Sequence, residues 1–545
     1  MRAAAWTALA VMTGLAGATP LSAQSAVQPE RATDSRIPEW MFAWSPLAPL
    51  ADHPRTLPRA PALPHLVLSR DPRIGLFWTA GNPGSLAFEV HDAWSAYQVA
   101  RSHDAGSYRR PLDPDRSGVS QVTALGWQPL GANGAAAGRV IVDQEAMSPS
   151  SNAVSEAPYG TSPFAVTDSA TPSFTHVRTR LEGGAGWRRG GWGVGLLAGF
   201  EGREKWTRST GSPRTGRVSV PGATVGVVRE IAAARLRLGL FARWLGSYET
   251  LRVVPQAAAG IVFPVAGYSE PDRLTVSQRP GYFRRIERDA TAYGLGAAGS
   301  AFGVSWTAYA ERDRRRDAFF SEERGDPPLD VWRAKGWVAG GAAQRHVSGT
   351  AVLLTARVRA SGLTGDATRA DLEGIFFHAE EQVFAADLDV RATVPNSPWS
   401  LAAILGTARA SRKRFDFIAE TRSEFVAWTP GAALEASREI GTATTVAAGF
   451  AVSGSAAVAA IPNPGLQGPV YQRLIAPELA LYGTAATPTA ASVSLRRRVG
   501  ARTSLWIRAV RESLVHGKPT ATTADGPNGE RTLWSVALGA FVDER

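Results

Sequence analysis

The amino-acid sequence predicts an all-β fold, an antiparallel transmembrane β-barrel of about 18 strands (about 16 to 20) with short periplasmic turns and long extracellular loops. Three observations carry the prediction. Apolar and polar residues alternate with period two in segment after segment from residue 92 onward, the connections alternate between short and long, and several of the 17 tryptophans fall near segment ends. A soluble propeller would carry a blade motif at a fixed period, and the sequence has none.

The chain opens with Met1-Arg2 and then AAAWTALAVMTGLAGA, a positive start and an apolar core too short for a spanning helix, which is the pattern of an export signal. Cleavage is expected after Ala23, with Leu21 at the position where a smaller residue is usual, so residues 1–23 form the signal peptide. Cysteine is absent, which removes disulfide frameworks, thiolate metal sites and a lipid anchor on an N-terminal cysteine. Beyond the signal no apolar run approaches the roughly 18 residues of a membrane helix, so an inner-membrane bundle is excluded. The formal charge of +11 is spread along strands and loops, with no basic helix or aromatic RNA-binding motif, and nucleic acid is not an expected partner.

Residues 24–91 are proline-rich and patternless, as in PLAPLADHPRTLPRAPALPH. Proline removes ladder donors and favours extended chain, so this stretch reads as a periplasmic lead-in or partial plug, too short for the globular plug of a TonB-dependent transporter. Residues 92–545 are assigned to the barrel. Strands are expected at 92–103, 118–129, 133–146, 174–188, 191–205, 217–230, 234–248, 287–301, 303–316, 331–346, 349–362, 372–393, 399–414, 421–438, 441–454, 474–498, 502–513 and 531–543. The clearest pair is Phe174 to Arg203. Val177, Thr179, Leu181, Gly183 and Ala185 alternate with His176, Arg178, Arg180 and Glu182; after the Arg189-Gly190 turn, Trp192, Val194, Leu196, Ala198 and Phe200 form one face against Leu197, Glu201, Arg203 and a row of glycines. The apolar face must meet lipid and the charged face must turn away from it.

Trp127, Trp187, Trp192, Trp399 and Trp534 sit near predicted strand ends, where an indole bridges hydrocarbon and head group. Pro430-Gly431 interrupts one strand and signals a bulge or a boundary. The last strand ends in Phe541 followed by Val-Asp-Glu-Arg and not on a terminal aromatic. The expected location is the bacterial outer membrane, with its lipid, lipopolysaccharide and the barrel-assembly machinery as partners.

The inner face of the clearest strands holds Arg178, Arg180, Glu182, Glu201, Arg203, Arg235, Arg237, Arg243, Arg357, Arg359, Asp387, Asp389, Arg391 and Glu435. Charges on this scale inside a barrel either line water or pair into a salt-bridged filling. The first case makes a channel or transporter for small solutes, the leading reading. The second makes a closed structural or surface-adhesion barrel, and a third reading is an outer-membrane hydrolase. Arginines outnumber acids in this set, which predicts anion preference if the barrel conducts.

No enzymatic activity, cofactor or metal is expected. Ser173, His176 and Asp168 could be assembled into a nucleophilic site, but no local motif supports it. Asp113-Pro-Asp115-Arg-Ser117-Gly118 copies the front of a calcium loop, yet its twelfth position is Ala124 where a bidentate glutamate is required, so an ordinary polar turn is expected. The mixed-charge run Glu311 to Asp330 reads as an exposed loop whose arginines could meet lipopolysaccharide phosphates.

Ala80-Gly81-Asn82-Pro83-Gly84, Gly138-Arg139, APYGTSPFAVTDS from Ala157 to Ser169, and Ser212-Pro213-Arg214 together resemble the pattern of an uncharacterised outer-membrane barrel family of Bacteroidetes and related bacteria. The resemblance is clearest from Asn82 to Glu230. It rests on turn and loop residues, and it implies the barrel fold without implying an activity.

Overall fold

The computed structural model describes residues 82–88, 93–107, 114–148, 163–168, 173–207, 214–253, 262–266, 282–321, 328, 330–347, 350–370, 372–394, 397–454, 456–460, 484–519 and 529–544. The expected signal peptide, and the expected lead-in apart from residues 82–88, lie outside the described residues. The first strands are β1 (Ala93–Gly106), β2 (Arg116–Pro129), β3 (Gly134–Ser148), β4 (Phe164–Asp168), β5 (Phe174–Arg189), β6 (Trp192–Thr207) and β7 (Arg214–Ile231). There follow β8 (Leu236–Val253), β9 (Val262–Ala266), β10 (Tyr282–Ala301), β11 (Val304–Ser321), β12 (Asp330–His346), β13 (Val352–Arg369) and β14 (Gly374–Thr393). The rest are β15 (Trp399–Asp416), β16 (Thr421–Ile440), β17 (Thr444–Ser453), β18 (Ala456–Ala460), β19 (Thr484–Arg498), β20 (Thr503–Pro519) and β21 (Glu530–Glu544).

All but β4 and β9 belong to one sheet of 19 strands, antiparallel throughout, that closes where β1 pairs with β21. β17 and β18 are two halves of a single crossing, so the barrel has 18 strands. The break between them answers Pro430. Its carbonyl accepts the Gly454 amide (3.0 Å), and in a strand the N–H of the same residue would point to the same side. The missing donor therefore faces the gap between β17 and β18. β16 runs through the proline without changing register, and the bulge lies further along, between Val426 and Ala427. One break of pairing at proline is thus absorbed by the neighbour.

Tight turns join β2 to β3, β5 to β6, β7 to β8, β10 to β11 and β19 to β20. In the β10–β11 hairpin Phe302 and Gly303 both have positive φ (53° and 73°), the two-residue geometry whose twist matches the flanking strands. Both ends of the barrel, Ala93 and Glu544, lie on this side, which is periplasmic. The opposite side carries the longer connections, although two of them, at 370–373 and 417–420, are also short.

Many strands run past the expected boundaries at their extracellular ends: β8 reaches Val253, β11 reaches Ser321 and β13 reaches Arg369. A crossing needs only about 9–11 residues, so strands of 18 to 20 project above the membrane. The strand expected at 303–316 accordingly runs on to Ser321, so the first part of Glu311–Asp330, also expected as an exposed loop, is strand. Ser117-Gly118, from the calcium-like stretch and expected as a polar turn, is strand, paired with Asp104 and His103 in the β1–β2 ladder, while Asp113 lies outside the described residues.

The outward face carries a continuous exposed apolar belt that includes Leu196, Leu238, Leu240, Leu295, Leu405, Leu434, Val493 and Leu538. Water would not tolerate such a surface and lipid would. The exported barrel lies in the bacterial outer membrane. Trp187, Trp192 and Trp399 are half exposed at the periplasmic rim, the last two with Arg229 and Arg438 over their rings (4.9 and 5.5 Å), and Trp534 marks the extracellular rim. Trp127 departs from the expectation. It is 4% exposed and points inward against Trp94, Leu86 and Trp506. Tags placed at Asn152, Asp272 and Glu323, in connections outside the described residues, are expected to be labelled on intact cells, and a tag at Arg189 is not; labelling at Arg189 would reverse the orientation.

Candidate functional site

The inner wall is built from cross-strand ion pairs. On β3, β5 and β6 the register sets Arg139 opposite Glu182, Asp143 opposite Arg178 and Arg180 opposite Glu201. Arg139 pairs with Glu182, Arg178 donates to Asp143 (2.7 Å), and Glu201 receives Arg180 on one oxygen and Arg203 on the other. Glu201 is fully buried, so these donors do for it what water does elsewhere. On the far side of β7, Arg243 of β8 reaches across β10 to Glu311 of β11, its Nη1 lying 3.1 and 3.3 Å from the two carboxylate oxygens. The residues beneath that span on β10 are Ala292 and Gly294, and a Cβ at Gly294 would meet the Phe241 ring. Arg288 sits between Glu249 (2.7 Å) and Asp317 (3.5 Å). On β13–β14 Arg357 binds Asp387 (2.7 Å) and Asp389 (3.4 Å), while Arg391 holds Asp389 from the same strand (2.7 Å). Arg412 continues the series to Glu381 (3.3 Å).

These contacts place the expected inner residues as follows. Arg178, Arg180, Glu182, Glu201 and Arg203 come together on β5–β6, and Arg357, Asp387, Asp389 and Arg391 on β13–β14. Arg359 shares the face of Arg357, within electrostatic reach of Tyr309 and Glu311. Glu435 is buried on β16. Arg237 is at the periplasmic end beside Glu230 (3.1 Å). Arg235 is different: it is exposed in the β7–β8 turn with φ 48°, because the strand begins one residue later and the backbone turns left-handed before it. The wall also holds acids absent from the expected set, among them Asp143, Glu249, Glu311, Asp313, Asp317 and Glu381. Bases absent from that set line the same wall, among them Arg139, Arg288, Arg315 and Arg412, so the two signs lie side by side along it. The alternation of Glu311, Asp313, Arg315 and Asp317 carried the signal in the sequence, inside a run read as loop.

At the periplasmic end the wall is nearly bare. Gly186, Gly193, Gly195, Gly226 and Gly239 face inward on β5 to β8, and the 3-10 helix Pro83–Phe88 lies directly on them. A Cβ at Gly186 would sit 2.9 Å from Leu86 and from the Pro83 carbonyl; one at Gly226 would strike the Asn82 side chain. Asn82 donates its amide to the Val227 and Leu240 carbonyls (3.2 and 3.1 Å), and its Oδ1 accepts the Gly84 amide (2.9 Å), fixing the start of the helix. Arg237 stacks over Phe88 (5.0 Å) and donates to its carbonyl (3.4 Å). Leu86 continues into an apolar cluster with Trp94, Trp127, Leu197 and Trp506.

The extracellular end has its own apolar arc. β4 and β9, from two different outer connections, pair with each other as a separate two-stranded sheet. Phe164 of β4 packs on Phe319 (4.2 Å between centroids) and Phe376 (5.8 Å), in a cluster with Ile286, Trp332 and Phe377. Of the stretches that carried the family resemblance, Asn82-Pro83-Gly84 leads into and opens the inner helix and Ala157–Ser169 contains β4. Of the nucleophile trio, Ser173 donates to Ser148 (3.0 Å) and His176 faces Glu145 (3.8 Å), while the Asp168 side chain lies outside what the structure describes.

No family model and no curated protein matches the chain in sequence. Among solved structures it is similar to the ferric preacinetobactin receptor BauA of Acinetobacter baumannii (9% identity, 83% of this chain and 80% of that chain, TM-score 0.35). It is also similar to the copper transporter OprC (11%, 83% and 81%, TM-score 0.36) and to a deltaS2 mutant of the monoaromatic hydrocarbon channel TodX (9%, 84% and 92%, TM-score 0.30). Likeness at this level says nothing of what this chain carries; its architecture rests on its own strand pairing.

Proposed function

We propose that the chain is a gated conduit for small polar solutes across the outer membrane, with the Asn82–Phe88 segment as its periplasmic stopper and the β4–β9 pair as a cover on the outer side. The observation that carries the reading is the glycine floor under the helix. A barrel with a purely structural role would fill that wall with side chains, as it does on β13–β15, whereas here side chains are omitted from four successive strands to seat a segment that, among the described residues, is held by hydrogen bonds, a cation–π contact and apolar burial. Such a segment can leave without unfolding the barrel.

The wall of paired charges suits polar and zwitterionic solutes and gives little reason to prefer either ion sign. Osmotic swelling of liposomes holding the full chain tests this. Gly226→Leu and Asn82→Ala, which remove the seat or its hydrogen bonds, are expected to raise entry of small sugars and amino acids several-fold over the wild type, with cationic and anionic solutes of equal size entering at similar rates. The burial of the ion pairs favours a second reading, a closed structural barrel. Swelling rates at the empty-liposome level for the wild type and both variants would establish it.

A further inference from the structure

The outward face of β11 and β12 breaks the pattern of the rest of the outer surface. Arg312, Arg314 and Arg316 on β11 and Arg333 and Lys335 on β12 are all exposed on that face. The register sets Arg316 directly opposite Arg333 and Arg314 directly opposite Lys335. Like charges facing each other across a ladder repel, and none of these side chains forms an ion pair among the described residues. The flanking strands compensate only in part. Asp289 of β10 stands opposite Arg316, while Asp366 of β13, opposite Arg333, is already bound to His378 (2.7 Å).

The height of the cluster is set by its neighbours. Arg312 is in register with Tyr293 on one side and Trp337 on the other, both exposed, and the outward residues below them are Leu295, Ala310 and Ala339. The bases therefore begin where the aromatic girdle ends, on the extracellular half of the barrel, where the phosphates of an outer-leaflet lipid lie and acyl chains would run down over Leu295 and Trp337. Guanidinium forks grip phosphate oxygens in pairs, and several converging arginines suit a head group with more than one phosphate.

We propose that this face is a binding site for a phosphorylated glycolipid of the outer leaflet, whose phosphates neutralise Arg312, Arg314, Arg316, Arg333 and Lys335. The test uses the full chain extracted from outer membranes and measures glycolipid retained per barrel by native mass spectrometry, followed by re-binding of a bis-phosphorylated lipid A glycolipid in nanodiscs. The wild type should retain the glycolipid. The combined variant Arg314→Gln, Arg316→Gln, Lys335→Gln should bind it at least about tenfold more weakly, the loss of several charge-assisted contacts. Folding is checked by heat-modifiable gel mobility. The same glycolipid stripped of phosphate should not compete, and phosphatidylglycerol should compete poorly. Undiminished binding by the folded variant, or equal competition by phosphatidylglycerol or the dephosphorylated glycolipid, would overturn the proposal. Should the combined variant fail to fold, Arg314→Gln alone should weaken binding and Arg314→Lys should restore part of it; wild-type binding by Arg314→Gln overturns the proposal equally.

Discussion

Glu201→Ala is expected to destabilise the barrel by about 3 to 5 kcal/mol, because removing one partner of a buried ion pair strands the charges left behind. Two such charges would be stranded here, since Arg180 and Arg203 are themselves largely buried and both spend their Nε donors on this carboxylate. Arg178 and Lys205 stand nearby on the same wall and add to the positive field once the acid is gone. Denaturant titration of the protein in lipid vesicles, read by tryptophan emission and by heat-modifiable mobility, measures the loss. Glu204→Gln is the control: its pair with Arg217 is on the outer surface, with the arginine 72% exposed, and an exposed pair contributes at most about 1 kcal/mol. Equal effects of the two substitutions would mean that the inner wall is wet and that its charges are screened.

The second large effect is on the lipid side. Leu196 is the middle member of the outward set Trp192, Val194, Leu196, Ala198 and Phe200, and it is 49% exposed beside Ala185 and Val225 of the flanking strands. Leu196→Arg should destabilise by roughly 2 to 4 kcal/mol, the cost of a base near the bilayer midplane. Leu372→Arg, in a tight turn on the extracellular side, should change the unfolding midpoint little. If Leu196→Arg were neutral in the same titration, the assignment of faces would be wrong for β6 and, through the register, for its neighbours.

The strand count was legible because alternation with period two survives wherever one face meets lipid and the other does not. It failed at the upper ends of the strands for the same reason. Above the girdle both faces are polar, as where Arg312, Arg314 and Arg316 alternate with Asp313, Arg315 and Asp317, so the run that ends the expected strand 303–316 also looks like a loop and the strand's last residues, to Ser321, are missed. The inner face was legible as a set of charges but not as a set of pairs, since Arg243 and Glu311 are partners only because β10 lies between their strands and is small at the crossing. Trp127 shows the limit of reading an aromatic by its distance from a strand end. The indole at a rim can face the lipid or the lumen, and only the parity fixed by Thr123 and Trp127 on the inner side of β2 decides it. The helix at Pro83–Phe88 had no periodicity to betray it. Its seat is written in glycines more than a hundred residues away, each of which alone reads as an ordinary strand glycine.

The conduit with a removable stopper is tested most directly by single-channel recording in planar bilayers, comparing the full wild-type chain with Gly226→Leu. The account predicts a wild type that is shut for most of the record with brief openings, a variant that stays open, and a reversal potential near zero for both under a salt gradient, since the wall pairs its charges. A wild type and a folded variant that both remain silent would contradict it and leave a closed structural barrel.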